Sequence, residues 1–335
     1  MNTIFIKKRT IYSLLFAFLI TPLFAQSTDT WTNKLAPISE SDWDYAKARH
    51  LIDRVGFGEK PKNIERFVRM GPRASVRELV YFQSISKHLD DFDHSGIFDP
   101  GIEPFPSSRP AATKLAKETG EAIGVRVKPN GNRRLQPVVD RFFYWLRASM
   151  LETRRVAYWW ANRMLLSDRP LEEKMALFWH GHFATNEEKV RDYRKLLQQN
   201  AVFREYGTGN FKELLTQVSQ DPAMLDFLDA GVNIKGSPNE NFAREIMELF
   251  TMGVGNYTEQ DIREGARAFT GWNHRDLNFV LNADQHDSSQ KTFLDKTGNW
   301  DGLDIIDMIL EKPVTAEYIS GKIYKFFVRE NIDPA

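Results

Sequence analysis

The sequence predicts a mainly α fold, a multi-helix globular bundle with a small β-hairpin and a long irregular Pro/Gly-rich insertion. Three observations support this prediction. The 335 residues are 42% hydrophobic and 13% aromatic, which is enough apolar material for one large core or two modest ones. Apolar residues recur at steps of three and four for most of the chain after Pro137, as in amphipathic helices. Six prolines lie between Pro100 and Pro137, a composition typical of irregular structure.

Residues 1–25 are predicted to be an export signal. A basic stretch at residues 7–9 precedes an apolar run from Ile11 to Phe24, and the small residue Ala25 follows. We therefore expect the mature protein to begin near Gln26 and to work in the periplasm or outside the cell. A buried N-terminal helix is the alternative. The run is too short to span a bilayer comfortably, and no transmembrane segment is predicted in the mature chain.

Three regions follow the signal. Residues 26–99 are predicted to form an N-terminal helical lobe with helices over 44–55, 61–70 and 73–82. Residues 100–137 form the Pro-rich loop or insertion. The main helical domain takes up residues 138–335.

The elements of the main domain follow from periodicity and from capping residues. Thr185 with Glu188, and Thr258 with Asp261, have the spacing of helix-capping pairs, and Pro222 follows Asp221 as at a helix start. Two segments, 277–281 and 291–294, resemble strands and would pair as the hairpin. The predicted helices are 138–166, 170–181, 187–205, 222–231, 239–252, 258–270, 302–310 and 314–329.

Composition limits the chemistry. The chain has no cysteine, which excludes disulfides, zinc-thiolate sites, iron-sulfur clusters and thiol nucleophiles, so any metal site must use His, Asp or Glu. Lysine and arginine number 45 and so do aspartate and glutamate. Without residues 1–25, 42 basic residues face 45 acidic ones. Nothing in this balance indicates a nucleic-acid partner.

His180 and His182 are the first candidates for a metal site. Two residues apart on a continuous helix, their side chains point about 200° apart and cannot share an ion. Gly181 between them is a plausible helix stop, and in an extended segment the two rings would lie on one face. We therefore expect the helix to end by Gly181. The alternative is that both are ordinary structural histidines.

The segment from Asn239 to Phe250 is the second candidate. Glu245 and Glu248 are predicted on the border of an apolar helix stripe, where a carboxylate serves as a metal ligand or as a general acid or base. Nearby polar side chains are candidates for binding substrate, namely Asn239, Asn241 and Arg244. The alternative is a structural network of arginine and glutamate.

Two further candidates lie elsewhere. His286 is a candidate metal ligand and Asp287 a candidate catalytic residue, because loops on a rigid scaffold often carry function. The alternative is an exposed turn. Trp179 is a candidate substrate-binding residue, although adjacent aromatics on helices are more often core than sugar platforms.

These candidates lead to one joint hypothesis. His180, His182, Glu245 and Glu248 each lie beside a strongly apolar stripe, and stripes of this kind pack into one core. We expect the four side chains to converge in one pocket. A divalent metal ion is the cofactor that such a pocket implies.

Several segments resemble a known bacterial family. They are 175–185, 221–225, 238–245, 257–259, 268–272, 286–287, 291–294 and 298–302, in that order along the chain. The family is the one catalogued as domain of unknown function 1800. The resemblance implies an exported protein, often encoded beside an exported sulfatase-like protein that is a candidate partner, and it transfers no catalytic residue. The family usually continues past a segment like 322–328, so we expect the chain to be truncated at its C-terminus.

Three functions remain open at this level. The first is a metal-assisted enzyme that works outside the cytoplasm through the His/carboxylate pocket. The second is a non-catalytic helical partner or scaffold for the sulfatase-like protein. The third is a glycan-binding module that uses Trp and Tyr faces.

Overall fold

The structure is a computed structural model that describes residues 37–87, 89–98 and 136–331, together with a few isolated positions between 114 and 124. In the helix that begins at residue 136, side chains are described from residue 143 onward. The predicted export signal and most of the predicted Pro-rich insertion lie outside the described residues. The predicted boundaries between the lobe, the insertion and the main domain stay predictions.

The described residues contain thirteen α-helices, so the mainly α prediction is confirmed. In chain order the helices are α1 (Tyr45–Val55), α2 (Pro61–Met70), α3 (Pro72–Val80), α4 (Gln136–Leu166), α5 (Pro170–Phe183), α6 (Glu187–Val190), α7 (Tyr193–Tyr206), α8 (Phe211–Ser219), α9 (Pro222–Phe227), α10 (Asn241–Glu248), α11 (Glu259–Ala268), α12 (Gly302–Leu310) and α13 (Pro313–Phe327).

The strands form two separate antiparallel hairpins rather than one. The first joins β1 (Trp272–Arg275) to β2 (Asn278–Leu281), and the second joins β3 (Lys291–Phe293) to β4 (Lys296–Gly298). The expected pairing of 277–281 with 291–294 was wrong, because each segment pairs with its immediate chain neighbour through a short turn.

Two helix predictions in the centre of the chain were also wrong. The predicted helix over 187–205 is divided into α6 and α7, because Arg191 takes a left-handed conformation with φ 59°. Asn186, not Thr185, caps α6. The Thr185 hydroxyl instead donates a hydrogen bond to Gln199 in the interior, so a buried partner replaces the expected capping role.

One capping prediction holds in full. The Thr258 side chain accepts from the backbone of Asp261, and the Asp261 carboxylate accepts from the backbone of Thr258. This reciprocal pair satisfies two of the amide groups that a helix leaves open at its start.

The main hydrophobic core lies between α5, α7 to α13 and the hairpins. Aromatic rings fill much of it, and the Phe183 ring packs against Phe203 and Phe250 with centroids 5.9 and 5.1 Å apart. Helices α1 to α3 pack around a smaller cluster of their own, which includes Ile52, Ile64 and Phe67. Within the described part of the chain, no helix is both long enough and apolar enough to cross a bilayer.

Candidate functional site

His180 and His182 lie on one unbroken helix. Helix α5 continues two residues past Gly181 to Phe183 and ends where Ala184 adopts a left-handed conformation. The prediction that it ends by Gly181 was wrong, because Ala184 ends the helix in the conformation expected of glycine. The His180 ring packs against Trp160 of α4 and Phe203 of α7.

His182 occupies a structural position on a different side of α5. It is buried, its Nε2 lies 3.1 Å from the carbonyl of Phe250, and its Nδ1 lies 3.2 Å from Nζ of Lys322. A carbonyl only accepts and an ammonium only donates, so Nε2 carries the proton and Nδ1 accepts. Burial, with a further contribution from the Lys322 charge, lowers the pKa of His182 to about 4. The ring is therefore neutral and both of its nitrogens are occupied.

The carboxylates of α10 do not contact these histidines through any hydrogen bond among the described residues. Burial and the nearby Glu248 raise the pKa of Glu245. Glu248 accepts a hydrogen bond of 2.7 Å from the hydroxyl of Tyr257. Arg244 pairs with Glu240 and Glu259. Arg244 therefore belongs to a structural network of arginine and glutamate, which was the alternative prediction for this segment.

The asparagines at the start of α10 hold backbone. Asn239 Oδ1 accepts from the amide of Asn241, and Asn241 Nδ2 donates to the carbonyl of Leu228. Trp179 is buried, donates from Nε1 to the carbonyl of Gly207 at 2.7 Å and stacks on Phe211. Its ring belongs to the core and presents no face to a substrate.

The His286–Asp287 loop is tied to α11. His286 Nδ1 donates to the carbonyl of Thr270, 2.9 Å away. Burial alone would raise the pKa of Asp287, but hydrogen bonds from Arg267 and Ser289 hold it well below its usual range. Across the described residues, no three His, Asp or Glu side chains are grouped so that they could hold a metal ion.

A pocket on another part of the surface brings together polar groups that the sequence did not single out. We call it the hairpin pocket, since β1 forms one of its walls. Its volume is about 630 Å³. Its polar lining consists of Asn186, Glu188, Lys189, Arg191, Asp226, Asp229, Asn273 and His274.

Asp226 and His274 line this pocket and form, with Lys195, a compact charged cluster. Lys195 Nζ lies 2.6 Å from Oδ2 of Asp226, and His274 Nε2 lies 2.8 Å from Oδ1. His274 Nδ1 faces the carbonyl of Asp276 at 3.1 Å. His274 Nε2 also lies 3.4 Å from Nζ of Lys195, so the ring contacts both members of the ion pair. Burial opposes ionisation of Asp226, but these two partners hold its pKa below the usual value.

The cluster fixes the hairpin to the helices. Lys195 comes from α7, Asp226 from α9 and His274 from β1. Two residues near it, Asp229 and Asp276, have φ of 56° and 52°. Left-handed conformations of this kind cost non-glycine residues about 1 kcal/mol each and concentrate at functional sites.

A second buried carboxyl lies close to the cluster. Asp221 caps α9 by accepting from the amides of Ala223 and Met224, and Gln199 donates to the same oxygen, Oδ1. Its Oδ2 is buried without a hydrogen-bond partner in the described structure. Burial raises the pKa of Asp221 to about 7.

From the sequence, Asp221 was predicted to begin a helix, and Asp226, Lys195 and His274 were not among the candidate site residues. The available signal was Asp226, an acidic residue inside a short and otherwise apolar helix. A charge in such a position requires a partner. The sequence did not say which side chains, 31 and 48 residues away, would be those partners.

The comparisons with known proteins agree with the resemblance. The model of a family described as "Protein of unknown function (DUF1800)" matches residues 50–335. Neither the curated proteins nor the solved structures gave a match. Since the match covers well over half of the chain, this protein belongs to the DUF1800 family.

Proposed function

We propose that the protein binds a small hydroxyl-rich ligand of the saccharide class in the hairpin pocket. One observation carries this proposal. Asn186, Asn273 and Glu188 line the pocket, and among the described residues no hydrogen-bond partner is found for the two amide nitrogens or for the Glu188 carboxylate. Two donors and an acceptor are therefore left for a ligand.

The chemistry of these groups suits hydroxyls. A sugar hydroxyl both donates and accepts, so one ring can bond to an amide N–H and to a carboxylate oxygen through neighbouring hydroxyls. Phe227 also lines the pocket and offers an apolar surface to a sugar ring. The pocket volume lies within the range of about 300 to 1,000 Å³ that is common for small-molecule sites.

The site is also held in shape before a ligand arrives. The Oδ1 atoms of both asparagines are already occupied, in Asn186 by the amide of Lys189 and in Asn273 by the amide of His274. These bonds fix the direction of the free amide nitrogens. A pre-organised site loses less conformational entropy on binding.

This proposal keeps the glycan-binding function and moves it from Trp and Tyr faces to a polar pocket. It is favoured over a metal-assisted enzyme because the described candidates His182 and Asp287 are engaged in internal bonds. Export to the periplasm or beyond, and a sulfatase-like partner, remain part of the proposal.

A glycan array followed by calorimetry on the purified mature protein tests the proposal. Asn273→Ala removes one neutral hydrogen bond worth about 0.5 to 1.5 kcal/mol, so it should weaken binding of the best saccharide by about three- to tenfold. Asn278→Ala is the matched control, since Asn278 is exposed on the same hairpin and outside the pocket lining.

Two results would contradict the proposal. One is that no saccharide binds to a protein that is folded by circular dichroism. The other is that a saccharide binds equally well to Asn273→Ala, to Asn186→Ala and to the native protein, which would place the ligand elsewhere.

A further inference from the structure

Helix α4 carries a row of exposed apolar side chains along its outer face. Tyr144, Leu151, Tyr158 and Leu165 are 49%, 46%, 75% and 70% exposed. Large apolar side chains scattered singly on a surface need no explanation, but four of them aligned along one side of a single helix form an ordered apolar surface that a partner can cover. We call these four residues the α4 row.

The spacing of the α4 row is regular. Its members follow one another at intervals of seven residues, two helical turns, and span about 32 Å at 1.5 Å per residue. The opposite face of α4 is buried and contributes Trp145, Glu152 and Val156 to the interior. A helix that packs lengthwise along this side of α4 would therefore contact one member of the row in every two turns.

Positive charge accompanies the row. Arg147 and Arg154 each lie three residues after a member of the row, and so on the same side of the helix. Both are exposed, and no ion pair is found for either in the part of the chain that the structure describes. The arginine next to Arg154 differs, since Arg155 is paired with the buried Glu152.

We propose that the α4 row is a docking surface for an amphipathic helix of another protein, one with apolar residues at heptad spacing and with Glu or Asp facing Arg147 and Arg154. The charges decide between occupants. Two copies of α4 packed together would bring these arginines toward one another, which costs free energy, whereas an acidic helix would pair with them.

The test uses two synthetic four-heptad peptides as probes. Both have Leu at two positions of each heptad, and they differ in having Glu or Lys at the position that faces the arginines. Fluorescence anisotropy at low salt should show binding of the Glu peptide at least tenfold tighter than of the Lys peptide. Leu151→Asp should weaken binding of the Glu peptide at least tenfold. Val254→Asp is the matched control, because Val254 is 77% exposed and lies outside α4.

A charge reversal makes the test specific. In the double variant Arg147→Glu and Arg154→Glu, the preference should switch to the Lys peptide. Equal binding of both peptides to the native protein, or no binding of either, would overturn the proposal. So would a dimer in analytical ultracentrifugation that Leu151→Asp dissociates, or binding to vesicles of phosphatidylglycerol with no binding of the Glu peptide.

Discussion

Replacing Asp221 by asparagine should change the stability of this protein in a way that depends strongly on pH. Asparagine has nearly the same shape and keeps an oxygen that can accept from Ala223, Met224 and Gln199, the three donors that reach Oδ1 of Asp221. The NH₂ group would take the place of Oδ2, which has no partner in the described structure. The substitution therefore removes the titration and retains the cap.

The magnitude follows from the pKa. Burial raises the pKa of Asp221 to about 7 from its ordinary value of 3.8. The folded state therefore holds a proton that the unfolded state has released between about pH 4 and pH 7, and the free energy of unfolding falls as the pH rises through this window. At about 1.4 kcal/mol for each pH unit, the full effect is at most about 4 kcal/mol.

Asp221→Asn should thus have nearly native stability at pH 4.5 and exceed the native protein by about 2 to 4 kcal/mol at pH 8. The measurement is urea unfolding followed by circular dichroism at several pH values. The difference between variant and native protein is the informative quantity, because titrations that the two proteins share cancel in it. The titration of His182 is one of those that the two proteins share. Its lowered pKa makes the free energy of unfolding rise with pH, which is the opposite of the effect of Asp221.

A second helix cap provides the control. Asp301 caps α12 by accepting from the amides of Leu303 and Asp304, but it is exposed to water. Asp301→Asn should therefore give a stability difference that hardly changes between pH 4.5 and pH 8. If Asp221→Asn also gave a constant difference, or lost stability as the pH rose, the argument from burial would be refuted.

The remaining predictions concern His182 and the N-terminus. His182→Leu leaves the Phe250 carbonyl and the Lys322 ammonium without their ring partners, so unfolding in urea at pH 7.5 should show a loss of about 2 to 4 kcal/mol. The loss should shrink toward pH 4, because between about pH 6.5 and pH 4 the unfolded native chain binds a proton at His182 that the folded protein does not, which lowers the stability of the native protein alone. A constant loss would contradict the assigned protonation. N-terminal sequencing of the protein recovered outside the cytoplasm should begin within a few residues of Gln26, and an intact Met1 in that fraction would be inconsistent with signal removal.

The helices were predictable wherever apolar periodicity and capping residues agreed. Thr258 and Asp261 fixed the start of α11, and Asp221 with Pro222 fixed the start of α9. The failures came where tertiary contacts override local preference. The sequence favours a capping role for Thr185, but the hydroxyl donates to Gln199 in the interior instead. Arg191 interrupts a helix although arginine is a good helix former.

The candidate site was harder to predict, because its members are distant in sequence. Residues such as His182 attract attention by their type, yet buried polar side chains usually satisfy one another or the backbone. Side chains that are left open for a ligand look ordinary in a sequence. Asn186 and Asn273 are of this kind, since one is a helix cap and the other lies on a short strand.

Asp221 and Asp226 show why residue type alone could not reveal this difference. Asp221 caps α9 and Asp226 lies within that helix, five residues later, and both are largely buried. Asp226 has two hydrogen-bonding partners, Lys195 and His274, in direct contact, and its pKa falls. Asp221 receives hydrogen bonds from neutral donors, and Lys195 acts on it only through its more distant charge, so burial prevails and its pKa rises. Lys195 thus lowers the pKa of both carboxyls, but it has less effect on the more distant Asp221. The fold alone determines these two distances.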